Sequence, residues 1–455
     1  MMMYNNKKHS LSILVTSAVL GCFSLASYAA VSPEQAARLG ADLTPFGGEK
    51  AGNSDGSIPA WTGGFNDPIK GEILGGKRLD PFASEKPLYT VTAANMDKYA
   101  DKLTDGVKAM LQKYPDTYRL DVYQTHRTAT APEWVYNYTV QNALKAKMDG
   151  HKISGAYAGI PFPIPQNGLE AINNHRLSWR GVSWEADINQ YQITSSGKVV
   201  LTTDGLLKNQ MPYYFQEGSS EEFDGYFWEV NLENYGPPIR AGERIAGRNN
   251  VDEDKTQSYV YLTGQRRVRK LPNACCDTPT PATAGLMSFD ELSVFSGTTE
   301  VFDWKLLGKK EILIPYNENR FLQYSDAQAI TGNHLNPDAV RWELHRVWVV
   351  EATLAEGKRH QAVRSKYYLD EDTWQASLAD RWDSNGELWK TLWQFNYIMP
   401  EFPGTIPQTF GFYNLLSSEA YVANVMNDKP SQNRPVERFP TSTFTGQGLA
   451  RQGTR

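Results

Sequence analysis

The stretch "TWQASLADRWDSNGELWKTLWQFNY", Thr373 to Tyr397, leaves this chain few ways to fold. Neighbouring side chains in a strand point to opposite faces, so alternation with a period of two writes a strand with one apolar face. Two such runs flank Asn385-Gly386, a dipeptide suited to a two-residue type I′ turn. That turn would set Trp382 opposite Trp389, Leu378 opposite Trp393 and Trp374 opposite Tyr397. One face then carries Trp374, Leu378, Trp382, Trp389, Trp393, Phe395 and Tyr397. The other carries Gln375, Ser377, Arg381, Lys390, Gln394 and Asn396. An aromatic face of this size has to be covered by something.

Runs of the same kind recur before it: "YQITSSGKVVLTT", "GYFWEVNLENY", "QSYVYLTGQRRVRK", "FDWKLLGKKEILIP", "VRWELHRVWVVEATL" and "RHQAVRSKYYLD". Turn signals separate them at roughly 10-residue intervals, and few helical patterns interrupt them. The fold class that follows is mainly β (α+β), a large curved antiparallel sheet connected mostly by hairpins. Helices are expected near the start. Ser32, Pro33 and Gln35 form a capping box, Met96, Tyr99, Leu103, Val107 and Met110 recur at helical spacing before Pro115, and a further helix is expected over 132–148. The chain then divides into helices and loops over 30–131, the sheet over 132–427, and a polar, proline-rich extended tail over 428–455. Trp61 is the expected anchor of the loop-rich stretch "LTPFGGEKAGNSDGSIPAWTGG".

The first 29 residues have the anatomy of a secretory signal peptide: Lys7 and Lys8, an apolar run from Leu11 to about Leu25, then small residues. That run is shorter than the roughly 20 residues a membrane span needs. Cleavage after Ala29 or Ala30 would release a soluble periplasmic protein. The alternative uses Val19-Leu20-Gly21-Cys22 as an approximate lipobox and leaves Cys22 lipid-anchored to the outer membrane. The soluble form is preferred, because it places the Ser32 capping box at the mature terminus. Without Lys7 and Lys8, the 46 basic residues become 44 against 51 acidic ones. Nucleic acid is therefore a poor partner, and "RRVRK" at 266–270 is expected to be a solvated strand face.

Little in the sequence points to catalysis. The histidines at 9, 126, 151, 175, 334, 345 and 360 form no metal-ligand spacing, and no nucleophile elbow or phosphate loop occurs. No cofactor is implied. The acidic clusters "VDEDK" at Val251 and "LDEDT" at Leu369 are expected to be hairpin turns. A bond between the adjacent Cys275 and Cys276 would be strained. The aromatic inventory, 12 Trp, 24 Tyr and 18 Phe, suits an ordinary core, a cavity for an apolar ligand, or rings that stack on sugars.

Several stretches resemble one bacterial family: "LTPFGGEKAGNSDGSIPAWTGG", "GIPFPIPQNGLEAINNH", "RRVRKLPN" followed by "DTP", "FDWKLLGKKEILIPYN", and the long segment from "RVWVVEATL" through "DSNGELWK". They look like the proteobacterial domain-of-unknown-function family 1329, often labelled outer membrane lipoprotein-sorting protein and similar to the LolA/LolB carriers. The resemblance implies an incomplete antiparallel β-barrel covered by helices around a hydrophobic cavity, with no catalytic residue. It implies a non-enzymatic periplasmic carrier of a lipid or other hydrophobic molecule, working beside a resistance-nodulation-division type exporter and an outer-membrane-associated companion. The lid would be the helix near 92–111, over a lining of Trp374, Leu378, Trp382, Trp389, Trp393 and Phe395. A polysaccharide or cell-wall binding protein, a structural component of an envelope export complex and a two-carboxylate hydrolase are the alternatives.

Overall fold

The computed structural model describes residues 1–2, 31–271 and 276–453. Both alternative cleavage points and Cys275 lie outside the described residues. The described strands are β1 (Tyr89–Val91), β2 (Leu120–Val122), β3 (Lys147–Asp149), β4 (Lys152–Ser154), β5 (Ser183–Ile193), β6 (Val199–Gln210), β7 (Tyr226–Gly236), β8 (Arg244–Asn250), β9 (Gln257–Leu262), β10 (Arg267–Lys270), β11 (Phe302–Pro315), β12 (Trp342–Leu354), β13 (Arg364–Asp370), β14 (Ala376–Trp382), β15 (Leu388–Met399), β16 (Gly404–Asn414), β17 (Ala420–Val425) and β18 (Arg434–Pro435). The α-helices are α1 (Pro33–Ala36), α2 (Asp105–Lys113), α3 (Glu133–Lys145), α4 (Gly168–Arg176), α5 (Asp326–Ala329) and α6 (Gly446–Gly453).

All strands but β3 and β4 join one sheet of 16 strands. It is built from two antiparallel meanders. One runs β11 through β17, the other β5 through β10, and β17 pairs with β5 to make the seam between them. The sheet does not close, since β11 pairs only with β12 and β10 only with β9. The β10 edge is "RVRK", largely exposed as the sequence predicts, and its charge discourages pairing with another chain. Strands β8, β16 and β17 go beyond the runs read from the sequence. In β16 the pattern is masked by Gly404, Gly411 and Pro407. Pro407 sits where the register against β15 shifts between Gln394 and Asn396, a place in a sheet where proline is tolerated.

The diagnostic hairpin forms with two changes, a longer turn and the loss of the expected pairing of Trp374 with Tyr397. Leu378 pairs with Trp393 as expected, but Trp382 pairs with Leu388. The turn spans Asp383 to Gly386: Gly386 N–H donates to the Asp383 carbonyl at 3.0 Å, and Gly386 takes a φ of 78°. This longer turn leaves Trp389 as a bulge residue. Trp374 lies outside β14, at a φ of 62°, because the Asp370 carboxylate accepts both the backbone N–H and the hydroxyl of Thr373 and holds a tight turn there. Its indole N–H donates to the Phe46 carbonyl at 2.7 Å, tying down the N-terminal loop. In the same way, the Trp61 indole donates to the Ala129 carbonyl at 2.9 Å.

Both faces of this hairpin are buried. On one side Leu378, Trp393, Phe395 and Tyr397 join Val107, Met110 and Leu111 of α2 in one core. On the other, Ala379 and Leu392 join Val135 of α3, Ala171 of α4 and the segment from Met287 to Phe302 in a second core. The single helix expected over 92–114 breaks into a 3-10 turn (Met96–Lys102) and α2, because Thr104 caps α2 by accepting Val107 N–H at 3.1 Å. The capping box at Ser32 and Gln35 is present. The tail expected to stay extended instead adds β18 to β5, then ends in α6, which packs on β8 to β10 with Phe444 and Leu449 buried. No helix among the described residues is long and apolar enough to cross a membrane.

Candidate functional site

Helix α2 sits over the aromatic face of β14 and β15. Its first turn approaches closely: the Asp380 carboxylate and Thr391 hydroxyl lie so near Gly106 that an added Cβ would sit 2.1 Å from Asp380 Oδ1. Burial, with the Asp105 carboxylate beside it, pushes Asp380 up to about 6. Beneath α2 is a cavity of about 30 Å³, lined among others by Val107, Tyr118, Leu378, Trp393, Phe395 and Tyr413. A single water needs about 10–15 Å³, so this space holds a water or two and no acyl chain while α2 is seated. Trp374, Trp382 and Trp389 lie elsewhere. Trp374 is in the second core, Trp382 lies under the Arg364 guanidinium at 3.9 Å, and Trp389 lies under Lys390 Nζ at 4.2 Å.

A larger cavity, about 80 Å³, lies on the opposite face. Tyr413 borders the first and Phe410 the second, three residues apart on β16, and residues an odd number apart point to opposite sides. Its wall crosses the seam between the meanders. Gln408 and Phe410 come from β16, Asn424 from β17, Trp184 and Gln190 from β5, and Leu207 and Asn209 from β6. The apolar wall continues through Trp228, Val230 and Leu232 of β7 and Ile245 of β8. An adjoining cavity of about 50 Å³ shares Trp228, Val230, Ile245, Ala282 and Leu292 and extends the space toward β9.

The strap from Pro279 to Ser296 roofs both spaces. It is pinned to the face of the hairpin that the sequence marks as polar: Arg381 Nη2 lies 2.9 Å from Asp290 Oδ2 and Lys390 Nζ 2.7 Å from Glu291 Oε1, all buried. Ser293 and Val294 have φ of 49° and 70°, strained for a β-branched residue. Below them, α4 brings in His175. Its Nδ1 accepts Ala376 N–H at 3.0 Å, so Nε2 donates to the Ser293 carbonyl, also at 3.0 Å. Burial pulls this imidazole down to about 3 and keeps it neutral.

A third cluster gathers where "LDEDT" folds. His345, Asp370 and Asp372 bring ligand atoms within 4.8 Å of one another, all buried. Both Asp372 oxygens are already engaged by Arg127, with Nε at 2.7 Å and Nη2 at 2.6 Å. Arg346 Nε and Lys309 Nζ hold Glu371 at 2.6 and 2.7 Å. Burial and the neighbouring Asp372 charge raise Asp370 to about 6. The expected hairpin turn, between β13 and β14, is thus also the centre of an ion-pair network that ties the N-terminal segment to the sheet.

Residues 90–450 match the family model described as "Protein of unknown function (DUF1329)". The chain belongs to this family. A relative in Pseudomonas aeruginosa, "Uncharacterized protein PA3922", is 37% identical over 473 aligned positions covering 97% of this chain and 99% of the relative. Among solved structures, this DUF1329 protein is similar to a putative outer membrane lipoprotein-sorting protein domain from Vibrio parahaemolyticus, with a TM-score of 0.43, 15% identity, and coverage of 62% of this chain and 98% of that one. It is also similar to the LolA superfamily protein NE2245 from Nitrosomonas europaea, with a TM-score of 0.36, 11% identity, and coverage of 62% and 98%.

Sequence reasoning finds Leu378, Trp393 and Phe395 because they alternate. It misses the larger cavity, whose wall joins 180–245 to 407–424 through the β17–β5 pairing. It also misses α4, although Asn167, which accepts Glu170 N–H at 2.9 Å, is a legible N-cap.

Proposed function

We propose that the protein is a non-enzymatic periplasmic binding protein or carrier for a lipid or other hydrophobic molecule. The observation that carries this reading is the roofed cavity of about 80 Å³ against the sheet, which adjoins a second space of about 50 Å³ beneath the same strap. Apolar ligand surface buried there would contribute about 25 cal/mol per Å² before association costs. Leu378, Trp393 and Phe395 form the wall of the smaller chamber that movement of α2 would open. The signal-peptide pattern supports the compartment. Sugar stacking is less well supported, because Trp374 and Trp393 are buried instead of facing solvent.

The test is mass spectrometry of organic extracts from protein purified out of its native periplasm. A hydrophobic molecule near one per chain is the expected result. Nothing above background, together with no binding of the neutral probe N-phenyl-1-naphthylamine by delipidated protein, removes the carrier reading.

A further inference from the structure

Arg180 lies just before β5 and lines the larger cavity. Its Nη2 donates to the His175 carbonyl at 2.8 Å and its Nε to the Ser178 hydroxyl at 3.3 Å. No carboxylate lies within ion-pair distance of it among the described residues, although the other buried arginines of the sheet, Arg127, Arg341, Arg346 and Arg381, each have one. A buried charge without a counter-charge is costly. Burial alone brings this guanidinium down to about 10.

Three amides that share the lining with Arg180 are short of acceptors. The Oδ1 of Asn209 is taken by the Trp228 indole at 2.7 Å and the Oε1 of Gln190 by the Tyr421 hydroxyl at 2.7 Å, which leaves the N–H ends of both amides. Gln408 Nε2 is buried with no hydrogen-bond partner. A buried donor without a partner is destabilising. Arg180 and Asn209 stand at the Trp184 end of β5 and β6, where the Trp184 indole donates to the Arg180 carbonyl at 3.2 Å and Trp184 pairs with Asn209, whereas Gln190 lies further along β5 and β7 and β8 offer Val230, Leu232 and Ile245. The chamber therefore has one positive charge, at the Trp184 end of β5, and an apolar wall across β7 and β8.

We propose that the larger cavity binds a single-chain amphiphile with a carboxylate head, the head on Arg180 and the amide donors of Asn209 and Gln408 and the tail along β7 and β8. This rests on the apolar-binding reading above and specifies its ligand class. A carboxylate fits better than a phosphate, because Arg180 is the one basic side chain of the lining and balances a single negative charge. Charge-assisted hydrogen bonds are stronger than neutral ones, so the acid should bind about tenfold or more tightly than the matching alcohol.

The experiment displaces N-phenyl-1-naphthylamine from delipidated full-length mature protein with dodecanoate or with 1-dodecanol. Wild type should prefer dodecanoate by about tenfold or more. Arg180→Met should lose that preference while keeping its affinity for dodecanol, and Arg180→Lys should restore part of it. Gln408→Leu leaves Arg180 in place and should weaken dodecanoate selectively, which keeps the test open if Arg180→Met does not fold. Equal binding of acid and alcohol by wild type, or an acid preference that survives in both Arg180→Met and Gln408→Leu, overturns the assignment. If the probe and both competitors fail to bind wild type, the apolar-binding reading falls first and this one with it.

Discussion

Replacing Asp380 with Asn should stabilise the protein at neutral pH and change little near pH 4. The Asp380 carboxyl is buried under α2, where it accepts the Thr391 hydroxyl at 3.1 Å and the Tyr368 hydroxyl at 3.3 Å. Burial raises it from 3.8 in the unfolded chain to about 6 in the folded one. The folded state therefore holds this proton more tightly. Stability from the neutral carboxyl is fully present below about pH 4 and is lost as pH rises through 6, because the unfolded chain ionises first. At 1.36 kcal/mol per pKa unit, the loss approaches about 3 kcal/mol above pH 6. Asparagine carries no such penalty. Its Oδ1 can still accept from Thr391, and the Tyr368 hydroxyl can turn to accept from the new amide. Urea unfolding followed by tryptophan fluorescence at pH 4, 5, 6 and 7.5 measures the effect. His175 and Asp370 titrate in both proteins and cancel in the difference, which should grow from near zero to about 3 kcal/mol. A difference that is flat across this range refutes the reasoning.

Gly106→Ala would place a Cβ 2.4 Å from Thr391 Oγ1 as well as against Asp380, so α2 must lift. A cost of about 1–3 kcal/mol is expected, with faster amide exchange confined to α2, and unchanged exchange there contradicts it. Arg127→Met leaves Asp372 buried without its guanidinium and should cost about 3–5 kcal/mol in urea unfolding, part of which Asp372→Asn should recover in the same background. His175 stays neutral to about pH 3 in the fold but takes a proton near 6.5 when unfolded, so wild type loses stability as pH falls from 6.5 toward 3. His175→Gln should flatten that acid limb, and an unchanged limb speaks against the buried neutral imidazole.

The hairpin was legible because strand alternation is local: Leu378 and Trp393 meet as their spacing around Asn385-Gly386 requires. The turn itself was less so. The Asp383 side chain accepts Asn385 N–H at 2.9 Å and Glu387 N–H at 3.0 Å, and that local bond outcompetes the two-residue turn, lengthens the loop and bulges Trp389 out of register. The face carrying Arg381, Lys390 and Gln394 was legible as polar but its burial was not, because Asp290 and Glu291 of the strap, the partners of Arg381 and Lys390, lie 91 and 99 residues earlier. Burial of a charged face depends on where its counter-charges arrive. "LDEDT" is the hairpin turn that the sequence suggests, between β13 and β14, but its burial was not legible for the same reason, since Arg127 reaches Asp372 across 245 residues of chain. Arg180 differs from these cases: its neighbours in sequence give no hint, and only the folded wall shows that its counter-charge is missing.

The place where that charge stands is set by the topology. Arg180 and β5 open one meander, Gln408 and Asn424 come from the strands that close the other, and the cavity exists only where β17 meets β5. A ligand seated there touches both meanders and cannot bind a chain in which they are apart. Bound amphiphile should therefore stabilise by mass action, about 2.7 kcal/mol at 100 times Kd. The protection should appear in amide exchange across the β17–β5 seam as well as at the cavity wall. Protection confined to the strap, with the seam unaffected, would place the ligand at the surface and not between the meanders.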